Sequence, residues 1–192
     1  MSNKKRLTAL LFVVLLGVGF LAAVFVGYRQ VNRRYPEADN EIYAEGEPLV
    51  EGHLTYTLID WSLVTMGDIR QRDAQYKTSV AAPRGGLCTD EQIRCLIVTL
   101  SVSSDADGQK VIPYRLIPES DGWYNEMDLE LFYVFNDNPV TQLDTGETTT
   151  LVIPYCLYDF HFRSADWAAI DSREFRLVLT TYPVKRSFAL TY

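Results

Sequence analysis

The feature that most constrains this chain is residues 7–28, LTALLFVVLLGVGFLAAVFVGY, a run without one charged side chain. At about 1.5 Å per helical residue it reaches roughly 33 Å, against a bilayer core of about 30 Å. Lys4, Lys5 and Arg6 precede it, and Arg29, Arg33 and Arg34 come after it. A cleavable signal peptide would have a shorter apolar region and a small-x-small site before the flank. Here the apolar character continues through Ala22-Ala23-Val24-Phe25-Val26 into the basic residues, so the run is expected to stay as a membrane anchor. Three basic residues on each side leave the charge rule balanced. The short leading KKR cluster and the exported character of the downstream domain put the N-terminus inside and the rest outside. The expected organisation is a cytoplasmic basic segment at 1–6, a transmembrane signal-anchor at 7–28, an acidic juxtamembrane linker at 29–48 and an ectodomain at 49–192.

Charge narrows the partners. None of the 25 acidic residues lies in the first 34 positions, whereas six of the 18 basic ones do. The remainder carries twelve basic against 25 acidic residues, a net of −13. Such a surface is repelled by phosphate backbones and anionic lipid headgroups, which argues against nucleic-acid binding. The expected partners are the membrane, through the N-terminal helix, and an unidentified protein or small-molecule ligand.

Beyond the acidic stretch 35–48 (YPEADNEIYAEGEP), read as a spacer, the pattern is β. Residues 53–66 alternate as one long strand, or two joined at Asp60-Trp61. In 95–103, Leu96, Val98, Leu100 and Val102 share one face at the period of a half-buried strand. Residues 104–108 supply a turn, and 110–117 are expected to return as the hairpin partner. Residues 127–135 (MDLELFYVF) read as a strand, as do 148–158 and 175–182, with 187–192 as a last edge strand after Pro183. Two places read as helical: 164–170, and the polar segment 67–75, which also fits a long loop. About seven or eight strands without strand–helix alternation predict an all-β, antiparallel β-sandwich.

Several of these segments carry a resemblance. The anchor, the acidic spacer, the strand LIVTLSVSSD, the turn and strand LDTGETTTLVIPY and the closing FRLVLTTYPV resemble the telokin-like, immunoglobulin-fold domains of bacterial surface lipoproteins and anchored proteins. That group's Leu-x-Pro-Gly-Glu turn is here Leu143-Asp144-Thr145-Gly146-Glu147, without the proline, and Ser103-Ser104 stands where an Asn is usual. The resemblance spans about 49–182. It implies an immunoglobulin-like sandwich on a bacterial surface, a role that is not known for most members, and no catalytic residues or cofactor.

Candidate chemistry is sparse. Cys88 and Cys95, in GGLCTDEQIRC, are a candidate disulfide in an oxidising compartment, and Cys156 reads as a small core residue. A sortase-like thiol enzyme would need Cys156 beside His53 or His161 with Arg163, but the Thr-Leu-x-Thr-Cys pattern is missing. His161 also has the opposite parity to Cys156 along a strand. Asp105-x-Asp107-Gly108 opens like a calcium loop, yet its twelfth position is Leu116 where a glutamate is needed. Two His and three scattered Cys give no zinc spacing, and Arg84-Gly85-Gly86 after Pro83 is a lone turn. The remaining functional pointer is Trp123-Tyr124, which comes after the Ser120-Asp121-Gly122 turn and could project toward a partner. Trp61 and Trp167 read as core. These observations point to a non-enzymatic binding module. A structural or assembly factor acting through its anchor, with Gly17, Gly19 and Gly27 on the helix, is the other class.

Overall fold

The computed structural model describes residues 3–72, 88–137 and 139–191. It forms two units, residues 1–39 and 40–192. The first is helix α1 (Asn3–Arg34), whose segment Leu11–Arg34 has a mean hydropathy of 2.5. Its large apolar side chains from Leu11 to Val31 are all more than half exposed. The helix is long and apolar enough to cross a membrane. Arg33 and Arg34 in its last turn complement the negative end of the helix dipole.

The second unit is built on two sheets of mostly antiparallel strands. One contains β2 (Pro48–Glu51), β3 (Leu54–Thr65), β4 (Ile93–Ser104) and β9 (Thr148–Tyr158) in the order β2-β3-β4-β9. The other contains β1 (Asp39–Tyr43), β6 (Ile117–Ser120), β7 (Trp123–Tyr124), β10 (Phe175–Thr180) and β11 (Val184–Leu190) in the order β1-β11-β10-β6-β7. A short ribbon pairs β5 (Gln109–Lys110) with β8 (Gln142–Leu143). Leu96, Val98, Leu100 and Val102 of β4 and Leu151, Ile153, Tyr155 and Leu157 of β9 meet Phe175, Leu177, Phe188 and Leu190 of the opposite sheet in one core. This is a β-sandwich.

Residue order explains the details. Gly52 and His53 close the β2–β3 hairpin, and φ of +62° at Gly52 is the conformation such two-residue loops require. Residues 54–65 form one strand, bent where Ile59 is extra between Leu58, opposite Leu100, and Asp60, opposite Thr99. That bulge switches the inward parity, so Leu54, Tyr56 and Leu58 face the core before it, and Trp61 and Leu63 after it.

The other face of β4 and β9 is buried too. Ile93, Cys95, Cys156 and Tyr158 pack with Met66 and Ile69 of α2 (Met66–Arg72) and Leu131 of α3 (Leu129–Phe135) in a second, smaller core. Thr65 precedes the first residue of α2, and its hydroxyl donates to Asp68 Oδ2 (2.6 Å) and accepts from the Asp68 N–H (3.0 Å). A helical layer therefore covers part of the sandwich.

Several expectations are corrected. Residues 129–135, expected in a strand, are helical: the Asp128 side chain accepts from Leu131 N–H (3.0 Å) and caps the helix. Of the segment 67–75, expected as a helix or a long loop, residues through Arg72 are helical, and 73–75 fall outside the described residues. Residues 110–117 do not return beside β4. They pass through a 3-10 turn (Pro113–Arg115) into β6 on the opposite sheet. The last strand, β11, runs Val184–Leu190 and lies between β1 and β10 rather than at an edge. The acidic segment supplies β1, where Glu41 pairs with Arg186 of β11 (2.8 Å), so it is not an unpacked spacer throughout. The α4 helix (Ser164–Ala168) begins at Ser164, with Arg163 as its cap position. The Arg84-Gly85-Gly86 turn lies outside the described residues.

Candidate functional site

The predicted contact pair divides. In β7, neighbouring side chains point to opposite sides, and Trp123 turns inward, 9% exposed. Its ring packs on Phe162 (5.7 Å between centroids) and edge-on to Phe175 (5.8 Å). Trp123 is a core residue, correcting the expectation that it projects. Tyr124 is 77% exposed. Trp61 and Trp167 are half-buried against the same core.

The predicted disulfide partners are not brought together as a pair. Cys95 lies opposite Cys156 in the β4–β9 register, with 3.6 Å between sulfurs, and Cys88 packs, half-buried, against the same small core. All three are thiols in this structure. Burial and the hydrogen bond with Cys95 hold the Cys156 thiol well above its ordinary pKa, the hydrogen bond being the larger cause.

The calcium-like loop is occupied by its neighbours. Asp107 Oδ1 accepts from the Thr145 hydroxyl (2.7 Å) and Thr145 N–H (3.0 Å), the Gly108 N–H donates to Asp144 Oδ1 (2.8 Å), and Asp105 pairs with His53 (2.8 Å). The Thr145 hydroxyl, then its N–H, lowers the Asp107 carboxyl below its usual range. These contacts tie three connecting loops together. Among the described residues no three His, Cys, Asp or Glu side chains are grouped as a metal site.

Two concavities stand out among the described residues. A basin of about 680 Å³ is lined by Ile42, Ser120, Asp121, Arg173, Glu174 and Arg176, among others. Its Arg173 is already spent, donating to Ser120 Oγ (2.7 Å) and to the Asp121 carbonyl, and stacking over Phe162. The other is a groove of about 370 Å³ between the 3-10 turn, α3 and the β5–β8 ribbon. Tyr114, Met127, Leu129, Phe132, Tyr133 and Pro139 line it, and Lys110 is the one charged residue in that lining. Tyr114 is 66% and Tyr133 59% exposed, with Leu129 equally open.

Sequence reasoning missed this groove. Read as a strand, 127–135 splits Leu129 and Tyr133 into an inward-facing set. As a helix, Leu129 and Tyr133 are four apart and share the outer face, while Leu131 and Phe132 are buried. The available signal was Asp128 as a helix cap before an apolar run.

By architecture this is a two-sheet β-sandwich with a helical outer layer, behind an N-terminal apolar helix. Residues 53–186 match a family described as a domain of unknown function (DUF5028), and the chain belongs to that family. No curated protein matches it. Among solved structures it is similar to a presumed lipoprotein of Bacillus subtilis, at 10% identity and a TM-score of 0.48, covering 78% of this chain and 39% of that one. It is also similar to an uncharacterised β-sandwich protein of Clostridium difficile (14%, TM-score 0.45, 81% and 97%). A presumed lipoprotein of Staphylococcus aureus gives 10%, 0.45, 79% and 92%. The chain thus spans well under half the length of the Bacillus protein, and these scores describe a likeness in outline.

Proposed function

We propose that this protein is a single-pass, extracytoplasmic, non-enzymatic binding module of a bacterial surface, which takes an apolar segment of a partner protein in the groove beside α3. The observation that carries this reading is the groove itself: Tyr114, Leu129 and Tyr133 stand open together in an otherwise strongly acidic domain. Exposed aromatic side chains on a rigid helix bury large area at low entropic cost, which suits them to anchor a partner. With Lys110 as the groove's charged residue, an apolar segment flanked by a carboxylate fits best.

An immunoglobulin-like topology is part of the proposal. It is supported by the order β3-β4-β9 facing β11-β10-β6-β7, which matches the A-B-E and G-F-C-C′ succession of that fold. The non-enzymatic reading draws support from Cys156, 3% exposed and with a thiol disfavoured from ionising, the opposite of an activated nucleophile.

Two experiments test the proposal. In a Cys88→Ser background, Tyr124→Cys is labelled in intact cells with a membrane-impermeant maleimide. Labelling is expected before lysis, and labelling only after lysis places the domain inside. A photoreactive residue at Tyr133 is expected to give one discrete crosslinked species in cells, lost with Leu129→Asp and absent from the same probe at exposed Asp166. Equal yields from 133 and 166 would discard the groove.

A further inference from the structure

Cys95 and Cys156 are directly opposed in the β4–β9 ladder, and the kind of opposition matters. In β9, Val152 exchanges both its N–H (2.9 Å) and its carbonyl (2.7 Å) with the Asn136 side chain, which lies on the side away from β4. The Pro154 carbonyl accepts the Asp128 N–H (2.9 Å), and the Cys156 carbonyl accepts from Asn125 Nδ2 (2.6 Å). The even residues of β9 therefore turn their backbone polar groups outward. Pro154, with no N–H to give, is accommodated there for that reason. It follows that Cys95 and Cys156 form a non-hydrogen-bonded pair, in which Cα atoms are about 4.5 Å apart. That separation lies inside the disulfide range of about 4.4–6.8 Å. The sulfurs, at 3.6 Å, need only a small side-chain rotation to meet.

We infer that Cys95 and Cys156 are joined by a cross-strand disulfide in the mature protein, and that Cys88 is left as the free thiol. The inference rests on the extracytoplasmic reading above, since such bonds persist in oxidising compartments. The chemistry is thiol–disulfide exchange. One Cys thiolate attacks an oxidant of the disulfide class and releases a thiol. The second Cys thiolate then attacks the mixed disulfide, forming the S–S bond and releasing the second thiol. Two electrons and two protons pass from the cysteines to the oxidant. In the folded domain both thiols are sealed beneath Met66, Ile69 and Leu131, with Cys95 at 0% exposure. The exchange therefore belongs to the newly exported, still open chain, and burial afterwards shields the bond from reductants.

The test is oxidative refolding of the full chain in detergent, from the reduced and denatured state, in a glutathione redox buffer. The remaining thiols are then blocked with a maleimide, and the peptides are mapped by mass spectrometry. The expected product links the Cys95 and Cys156 peptides, with Cys88 carrying the maleimide, and its Tm exceeds that of the reduced chain by roughly 10 °C. Cys88→Ser is expected to keep the link, and Cys156→Ala to abolish it without creating a Cys88–Cys95 bond. A Cys88–Cys95 link, or three blocked thiols, overturns the pairing whatever the location. Acid-quenched cells give the second readout. A link that forms in vitro while both sites are blocked in cell-derived protein overturns the mature disulfide and the extracytoplasmic reading together.

Discussion

Neighbouring residues in β7 show how much one position of parity decides. Trp123 fills space between Phe162 and Phe175, so Trp123→Ala is expected to cost about 3–5 kcal/mol in chemical denaturation. Tyr124→Ala removes an exposed ring and is expected to change stability by less than about 0.5 kcal/mol. Equal losses from the two would contradict the inward placement of Trp123. Tyr155 poses a sharper question, because its hydroxyl is buried and donates to the Leu116 carbonyl (2.9 Å). Burial pushes its pKa well above the ordinary value of 10.0, and burial also raises that of Tyr56. A folded pKa raised above the unfolded one contributes stability that is complete below the unfolded value and lost as pH rises through the folded one. Stability should therefore decline above about pH 10, and Tyr155→Phe should flatten that alkaline limb. At neutral pH the same variant is expected to lose about 1–2 kcal/mol, since the Leu116 carbonyl keeps its burial and loses its donor.

At the level of elements, strands were legible wherever both faces obey a period of two. Residues 148–158 appear as β9 with the expected bounds, because Leu151, Ile153, Tyr155 and Leu157 meet one core, and Cys156 and Tyr158 the other. The segment 127–135 was not legible, since MDLELFYVF alternates as cleanly as a strand. What makes it helical is partly local, the Asp128 cap, and partly tertiary: Asn136 ends it by donating to the Phe132 and Val152 carbonyls (2.8 and 2.7 Å). The groove was hidden with it, and so was the true neighbour of Cys95, because neither the helix face nor the strand pairing is a local property. Asn136 also protects β9, one of the two edge strands of its sheet, by satisfying Val152 in place of another strand. Asn136→Ala should cost about 1–3 kcal/mol through the orphaned Val152 groups. Amide exchange is the specific readout: protection should fall at Val152 well before it falls at the central β4. Uniform loss across both strands would show general destabilisation, and would set aside the capping role of Asn136.

For the whole molecule, the question is whether the sandwich depends on its apolar helix. Both cores draw on residues between Tyr43 and Leu190, and the chain divides at Asp39. Two edge strands are tied down within that unit: Arg186 joins Glu41 (2.8 Å) and Glu51 (2.7 Å), linking β11 to β1 and to β2 of the facing sheet. The Arg186 hydrogen bond lowers the Glu41 carboxyl, as the Thr145 hydroxyl lowers that of Asp107. Depressed carboxyls contribute stability above their unfolded pKa and lose it as pH falls through the folded one, so the stable range should end on the acid side below about pH 4. These ion pairs are exposed, so the limb should also shift with salt. Both cores and these ion pairs survive removal of residues 1–39, which takes only Asp39 from β1. A fragment of residues 40–192 is therefore expected to be soluble without detergent and monomeric by sedimentation. Its Tm should lie within about 2 °C of the full chain's when both are held in the same redox state. A fragment that aggregates, or melts far lower, would mean that the apolar helix completes the fold and does more than tether it.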